Sequence, residues 1–394
     1  MGYEREFKNL PEGWKLSKVK DLFVDGRGRI ISEEEIKNKE GIYPVYSSQT
    51  SNNGELGKIN TYDFEGEFIT WTTDGANAGT VFYRNGKFNC TNVCGILKPR
   101  NENINVKFFS YLLSTIAKNY VSYIGNPKLM NSTFRDIKII HPNNYYEQSK
   151  IAEILETVDN AIEKTDKIIE KYKRIKQGLM QDLLTKGIDE NGNIRDEKTH
   201  KFKDSPLGRI QEEWEVVRLG EVGEIIYGER LNESEYIENG IALVYGTTGI
   251  IARTEKYLGV GETIILPRKG SINNKFYVEK EQKFFVIDTA FYLKFNSKEI
   301  LNVKYIYNFI QQINLEFFNE ATGVPSLNRE TLKKILIPLP PLPEQQRIAE
   351  ILSQIDQTIE KEEKYKEKLK RIKQGLMQDL LTGKVRVNQL IKEA

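Results

Sequence analysis

Along two stretches of the chain, seam residues return at alternating spacings of four and three. The first stretch runs through Ile151, Leu155, Val158, Ile162, Thr165, Ile169, Tyr172, Lys176, Leu179 and Leu183. The second runs through Ile348, Leu352, Ile355, Ile359 and Glu362, then Leu369, Leu376 and Leu380, with a shift in phase around Tyr365. Such spacing gathers side chains on one face as the seam of a coiled coil. Glu, Lys, Gln and Arg, all good helix formers, fill the other faces. About 40 residues at 1.5 Å each predict helices roughly 60 Å long. Pro142 precedes the first helix, and Pro338, Pro340, Pro341 and Pro343 mark the start of the second. Polar seam positions Thr165, Lys176 and Glu362 are expected to fix the register.

Outside these stretches the pattern changes to short runs rich in β-branched and aromatic residues, broken by turns. Phe68–Thr72, Thr80–Tyr83, Ile264–Leu266, Phe276–Val278 and Phe284–Ile287 read as strands. Residues 106–120 and 303–318 read as amphipathic helices. The expected fold class is α+β. It comprises two mixed α/β domains with mainly antiparallel sheets, each followed by a long helix.

The same chain is a duplication. RIKQGLMQDLLT stands at 174–185 and again at 371–382, an offset of 371 − 174 = 197, and IAEIL stands at 151–155 and 348–352 with the same offset. Weaker echoes lie upstream: Glu147-Gln148 with Glu344-Gln345, Gly125–Leu129 with Gly323–Leu327, and the segments around Trp14 and Trp214. The predicted layout is a first domain at 1–142, its helix at 143–186, a polar linker at 187–211, a second domain at 212–343, and a second helix with its tail at 344–394. An antiparallel helix pair makes the linker a local hop, whereas a parallel pair would need it to run back as an extended strand. Antiparallel pairing, with an approximate internal two-fold axis, is the expectation.

Composition narrows the function classes. Of 394 residues, 39% are hydrophobic and 29% charged, and no run approaches the ~18 apolar residues of a membrane span. The charged N-terminal stretch lacks the apolar core of a secretory signal, and two cysteines (Cys90 and Cys94) exclude a disulfide framework. A cytoplasmic location is expected. Lys+Arg 58 against Asp+Glu 56 neither demands nor forbids nucleic acid. With His141 and His200 as the only histidines, no His-based metal or catalytic cluster is credible, and no metal site is expected. The GxxxxGK[ST] phosphate cradle is missing, since Gly54–Ile59 has the wrong spacing. Neither Asn126-Pro127-Lys128 nor Leu339–Leu342 is the Asn-Pro-Pro-aromatic turn of a DNA methyltransferase. The chain reads as non-catalytic.

The loops carry the residue types that read base edges and phosphates. In the first domain these are Ser47, Ser48, Gln49, Thr50, Asn52 and Asn53, with Lys58, then Trp71, Thr72, Thr73, Asp74 and Asn77, and finally Lys128. In the second they are Tyr245, Thr247, Thr248 and Arg253, then Arg268, Lys269, Ser271, Asn273, Asn274 and Lys275, then Ser326 and Asn328. Ser/Thr/Asn/Gly clusters are also what ordinary turns are made of. Their recurrence at matched places in both halves favours recognition surfaces.

Over its full length the chain resembles the specificity subunit of type I restriction–modification systems. The residues that carry the resemblance are the doubled IAEIL…RIKQGLMQDLLT helix, PLPPLPEQQRIAEIL at 338–352 and FKDSPLGRIQEEWEVVRLGEV at 202–222. The resemblance implies that each variable domain is a target-recognition domain reading one half of a bipartite, asymmetric site in double-stranded DNA. It implies that the helices set the gap between half-sites, and that the chain recruits two methyltransferase subunits acting on adenine N6. Two restriction subunits would complete a translocating nuclease. S-adenosylmethionine, ATP and Mg would belong to those partners, with no cofactor in this chain. The two domains are too diverged to share a target. The competing readings are a coiled-coil adaptor whose domains bind protein, and an autonomous enzyme with an unfamiliar site.

Overall fold

The computed structural model describes residues 10–296 and 300–390. In the first domain the chain forms β1 (Trp14–Lys18), β2 (Phe23–Arg27), β3 (Glu40–Tyr46), β4 (Glu55–Ile59), β5 (Phe64–Thr72), β6 (Val81–Cys90), β7 (Cys94–Pro99), α1 (Val106–Ile116), β8 (Lys138–Pro142) and the long α2 (Tyr145–Leu183). Strands β2-β7-β5-β6-β3-β4 make one six-stranded sheet, and β1 pairs with β8. Pairing is antiparallel except between β3 and β6.

The linker carries a hairpin, β9 (Phe202–Ser205) and β10 (Gly208–Gln211). The second domain follows with β11 (Glu215–Arg218), β12 (Gly223–Tyr227), β13 (Ala242–Gly246), β14 (Gly249–Thr254), β15 (Gly259–Val260), β16 (Thr263–Pro267), β17 (Phe276–Val278), β18 (Lys283–Val286), β19 (Ala290–Phe295), α3 (Val303–Gln312), β20 (Leu336–Leu339) and the long α4 (Leu342–Leu381). Its strands form two four-stranded sheets, β12-β19-β16-β17 and β14-β13-β18-β15, with β11 on β20 as β1 is on β8. The amphipathic stretches expected at 106–120 and 303–318 are each an α-helix followed by a 3₁₀ turn, at Ala117–Tyr120 and Leu315–Phe318.

Of the described residues, those up to 166 pack with those from 364 on as one unit and those between 167 and 363 as another, so the division falls inside each long helix. In the first unit, Trp14, Phe23, Ile69, Trp71, Phe109, Ile151 and Leu155 share a core with Leu380, Leu381 and Val387. In the second, Trp214, Ile264, Phe291, Tyr305, Ile348 and Leu352 share one with Met180, Leu183, Leu184 and Ile188. Each domain is thus closed by the start of one long helix and the end of the other.

Ion pairs give the helix direction inside each unit. Asp159 meets Lys373 at 2.6 Å and Asp166 meets Lys366 in the first. Lys173 meets Glu363 at 2.9 Å and Lys176 meets Asp356 at 2.6 Å in the second. Numbers rise on one helix as they fall on the other, which is antiparallel pairing. Lys176–Asp356 and Asp159–Lys373 are images of each other under the 197-residue offset (159 + 197 = 356; 176 + 197 = 373).

The phase shift expected around Tyr365 does not occur. Tyr365 is half exposed, while Glu362, Lys366 and Lys373 are only partly exposed and keep the four-three spacing between Ile359, Leu369, Leu376 and Leu380. Lysine stems are apolar, so Lys366 and Lys373 fill seam positions while their ammoniums meet aspartates.

The doubled Glu-Gln dipeptide has a structural explanation. Glu147, in the first turn of α2, accepts from Trp14 Nε1 at 3.4 Å and from Arg386 Nε and Nη2 at 2.7 and 3.0 Å. Glu344, in the first turn of α4, accepts from Trp214 Nε1 at 3.1 Å, from the Ile188 amide at 2.9 Å and from Arg195. A carboxylate at a helix N-terminus also complements the helix dipole. Next to them, Gln148 and Gln345 accept from the amides of Asn105 and Asn302, both at 2.9 Å, the residues whose side chains cap α1 and α3.

Candidate nucleic-acid interface

In the first domain the structure sorts the candidates into scaffold and surface. Trp71 lies fully inside the core: its ring stacks on Phe134 at 4.1 Å and its Nε1 donates to the Leu129 carbonyl at 3.0 Å. Thr72 and Thr73 are buried too; Thr72 Oγ1 accepts the Thr80 amide, and Thr73 Oγ1 accepts from Arg27 at 3.1 Å. These three cannot face a duplex as built. They shape the turn that presents Asp74 and Asn77.

Asp74 is half-buried, 3.2 Å from Arg27 and 3.8 Å from the exposed Lys128. Backbone bonds zip this turn to the Gly125–Leu129 segment, with the Gly75 amide on the Pro127 carbonyl at 3.0 Å and the Leu129 amide on Thr73 at 2.8 Å. Asn77 and Lys128 therefore share one surface, and Asp74 lies beside Lys128. The β3–β4 loop makes another: Thr50, Asn52 and Asn53 are exposed, whereas Ser47, Ser48 and Gln49 are half-buried. Gln49 is engaged, its amide nitrogen donating to the Glu55 carbonyl. Lys58 is exposed on β4.

The second domain repeats the zipped turn: the Gly270 amide bonds Pro325 at 2.9 Å and the Leu327 amide bonds Arg268 at 2.8 Å, with Lys269 bridged to Ser326. Arg268 donates to the Asp288 carbonyl at 2.8 Å, and its guanidinium and that of Arg329 each lie 5.1 Å from the Tyr227 ring centroid. Lys269, Ser271, Asn274, Thr248, Arg253 and Asn328 are exposed, and Thr247 half so. Asn328 caps the short helix that follows it, and Arg253 donates to the Gly240 carbonyl at 3.3 Å.

Two candidates fall away from the surface here. Tyr245 is buried in the cluster with Ile265 and Val278. Lys275 is buried, donating to Asn273 Oδ1 at 3.0 Å and the Ile313 carbonyl at 2.6 Å, and burial lowers its pKa. Its ammonium ties β17 to the end of α3 instead of reaching a phosphate. Asn273, which also accepts the Leu315 amide at 3.0 Å, is committed to the same tie.

Sequence reasoning passed over Arg27, Arg84, Tyr227 and Arg329. Arg84 had a signal: aligning Tyr83 with Tyr277 sets an arginine against Val278, a polar-for-aliphatic exchange inside a strand. Among the described residues no group of three or more His, Cys, Asp and Glu could hold a metal, and no helix is long and apolar enough to cross a membrane.

With this geometry in hand, comparison with known proteins is consistent from end to end. The family described as "Type I restriction modification DNA specificity domain" matches twice, at residues 11–173 and 211–371. S.MpnORF507P of Mycoplasma pneumoniae, named as a type I specificity subunit, is 31% identical over 85% of this chain and 87% of its own. The specificity subunit of the type I restriction enzyme MjaVIII of Methanocaldococcus jannaschii is 29% identical over 98% of this chain and 97% of its own. The crystal structure of the type I S subunit from M. genitalium superposes with a TM-score of 0.70 at 19% identity, covering 95% of this chain and 96% of that one.

Proposed function

The chain belongs to the type I restriction–modification DNA-specificity family, and from that premise we propose that its two target-recognition domains read different halves of one asymmetric, bipartite DNA site. The observation that carries this is the contrast between conserved scaffold and divergent tips. Both domains repeat the zipped turn, the capped helix and the Trp–Glu–Arg contact, yet the β3–β4 tip spans residues 48–53 where the β13–β14 tip is Thr247-Thr248. Different loops on one scaffold read different bases.

In this reading the exposed Asn77, Lys128, Thr50, Asn52 and Asn53 face the first half-site. Thr248, Arg268, Lys269, Ser271 and Asn274 face the second. Lysines among them hold phosphates and set the salt dependence of binding. The two long helices fix the unread gap. The methyltransferase subunits that carry S-adenosylmethionine dock on the domains and helices, and the reacting chemistry is theirs. An apolar cleft of about 810 Å³ in the first unit, among Leu112, Ile116, Ile140, Met377 and Leu381, supports such a protein-facing surface.

The test is to co-express the chain with its methyltransferase partner and map N6-methyladenine across the host genome. The expected result is one bipartite motif with unlike halves and a fixed gap. A soluble complex that methylates no such motif and binds no DNA would favour the adaptor reading.

A further inference from the structure

Arg84, on β6, is almost wholly removed from water, at 3% of full exposure. Its guanidinium carbon lies 3.5 Å from the centroid of the Tyr46 ring and 4.5 Å from that of Phe82. Nε donates to Thr70 Oγ1 at 3.1 Å, and Nη2 donates to the Asn53 carbonyl at 2.9 Å. Nη1 has no hydrogen-bond partner among the described residues. A buried guanidinium with a donor left over costs stability that an aliphatic side chain of similar size would not.

The second domain shows that the sheet does not require it. Ile69 stands opposite Tyr83 on β5–β6 as Ile264 stands opposite Tyr277 on β16–β17. Both tyrosines donate to a glutamate, Glu67 or Glu262, and both lie under a lysine, Lys107 or Lys304. With that register fixed, Val278 takes the place of Arg84 and Ile265 that of Thr70. Both are fully buried in an apolar cluster with Tyr245.

What differs is the loop above. In the second domain β13 turns into β14 through Gly246 paired with Gly249. In the first, the Ser47 amide bonds the Gly54 carbonyl at 2.9 Å and a longer tip intervenes. Within it Asn52, Asn53 and Gly54 follow one another at φ +47°, +53° and +80°. Left-handed backbone costs about 1–2 kcal/mol at most residues; glycine and asparagine tolerate it best, but as single residues and not in runs, so an outside hold helps three in succession. The carbonyl Arg84 grips belongs to the middle residue of the three.

We propose that Arg84 is the positioning residue for a base-reading loop. It grips the Asn52–Gly54 turn from beneath, so that the exposed Asn52 and Asn53 side chains meet the duplex already arranged. Asparagine, like glutamine, pairs bidentately with the adenine edge in the major groove, and a prearranged loop loses less freedom on binding. Arg84 itself touches no base. The assignment rests on the DNA-reading function proposed above.

The experiment compares wild type, Arg84→Met and Arg84→Lys as full-length subunits co-purified with the methyltransferase partner. Hydrogen exchange at residues 47–55 reports the hold, and genome-wide N6-methyladenine mapping reports the reading. For Arg84→Met the expected result is an unfolding midpoint at or above wild type and exchange at 47–55 faster by at least roughly tenfold. Discrimination against single mismatches should fall about tenfold or more in one half-site only. Arg84→Lys, which keeps the charge on a single donor nitrogen, should fall between the two. Unchanged exchange at 47–55 overturns the proposal, as does faster exchange with both half-sites still stringent, or equal relaxation of both. A wild-type complex without any bipartite motif sinks the DNA reading itself, and the exchange arm distinguishes that failure from failure of the Arg84 hold.

Discussion

At the scale of single residues, the firmest consequences come from buried polar groups. Glu344 is 8% exposed and satisfies Trp214, Ile188 and Arg195 together. Replacing it with Gln leaves Arg195 without its anion, and breaking a buried pair in this way costs about 3–5 kcal/mol. Denaturant unfolding of Glu344→Gln measures that directly. His141, 1% exposed, is a second case: Pro142 offers only a carbonyl, so Nδ1 carries the proton and donates to it at 2.9 Å, leaving Nε2 to accept from Ser17 Oγ at 3.0 Å. Burial depresses its pKa to about 4. The unfolded chain therefore takes up the proton near pH 6.5 while the folded one refuses it until about 4. Stability falls between those pH values, by up to roughly 3 kcal/mol, and levels off below. Unfolding midpoints measured from pH 7 to 4 should show this slope in wild type and lack it in His141→Gln. Candidate chemistry was visible at this scale, but burial was not. Trp71 and Lys275 have the right composition for a recognition loop, and only packing shows that one is core and the other a tie.

At the scale of elements, the seam was the most readable feature, because apolar spacing is a local property. Its one misreading, the shift around Tyr365, arose where Lys366 and Lys373 occupy seam positions. Lysines score as polar in any pattern, and the aspartates that accept them lie some 200 residues away (366 − 166 = 200). If the helices set the gap, their length is the variable to change. Seven residues that continue the seam, inserted after both Asp166 and Glu363, add about 10 Å of helix. At about 3.4 Å per base pair the unread gap should widen by roughly three base pairs while both half-sites keep their sequence. Methylome mapping of the insertion variant reads both quantities, and an unchanged gap removes the helices from the spacing role.

At the scale of the whole molecule, repetition exposed the architecture before any strand had been placed: an identical twelve-residue run and one constant offset imply a duplicated layout. The sequence did not reveal that each domain borrows the end of the other's helix, because that depends on contacts such as Arg386 with Glu147, 239 positions apart. That borrowing affects how the molecule is made. The second unit falls in one stretch between 167 and 363, whereas the first waits for described residues from 364 on. On the ribosome, the domain translated first is therefore the last to find all its partners. Trp14, Ile151 and Leu155 emerge early, but Leu380, Leu381 and Val387, which share their core, are added more than 200 residues after Leu155. Until then the nascent chain carries an unsealed apolar surface, the condition under which chaperones bind and proteases cut. A stop codon between positions 364 and 380 would thus leave the first domain unsealed, although every codon for its own strands had been read.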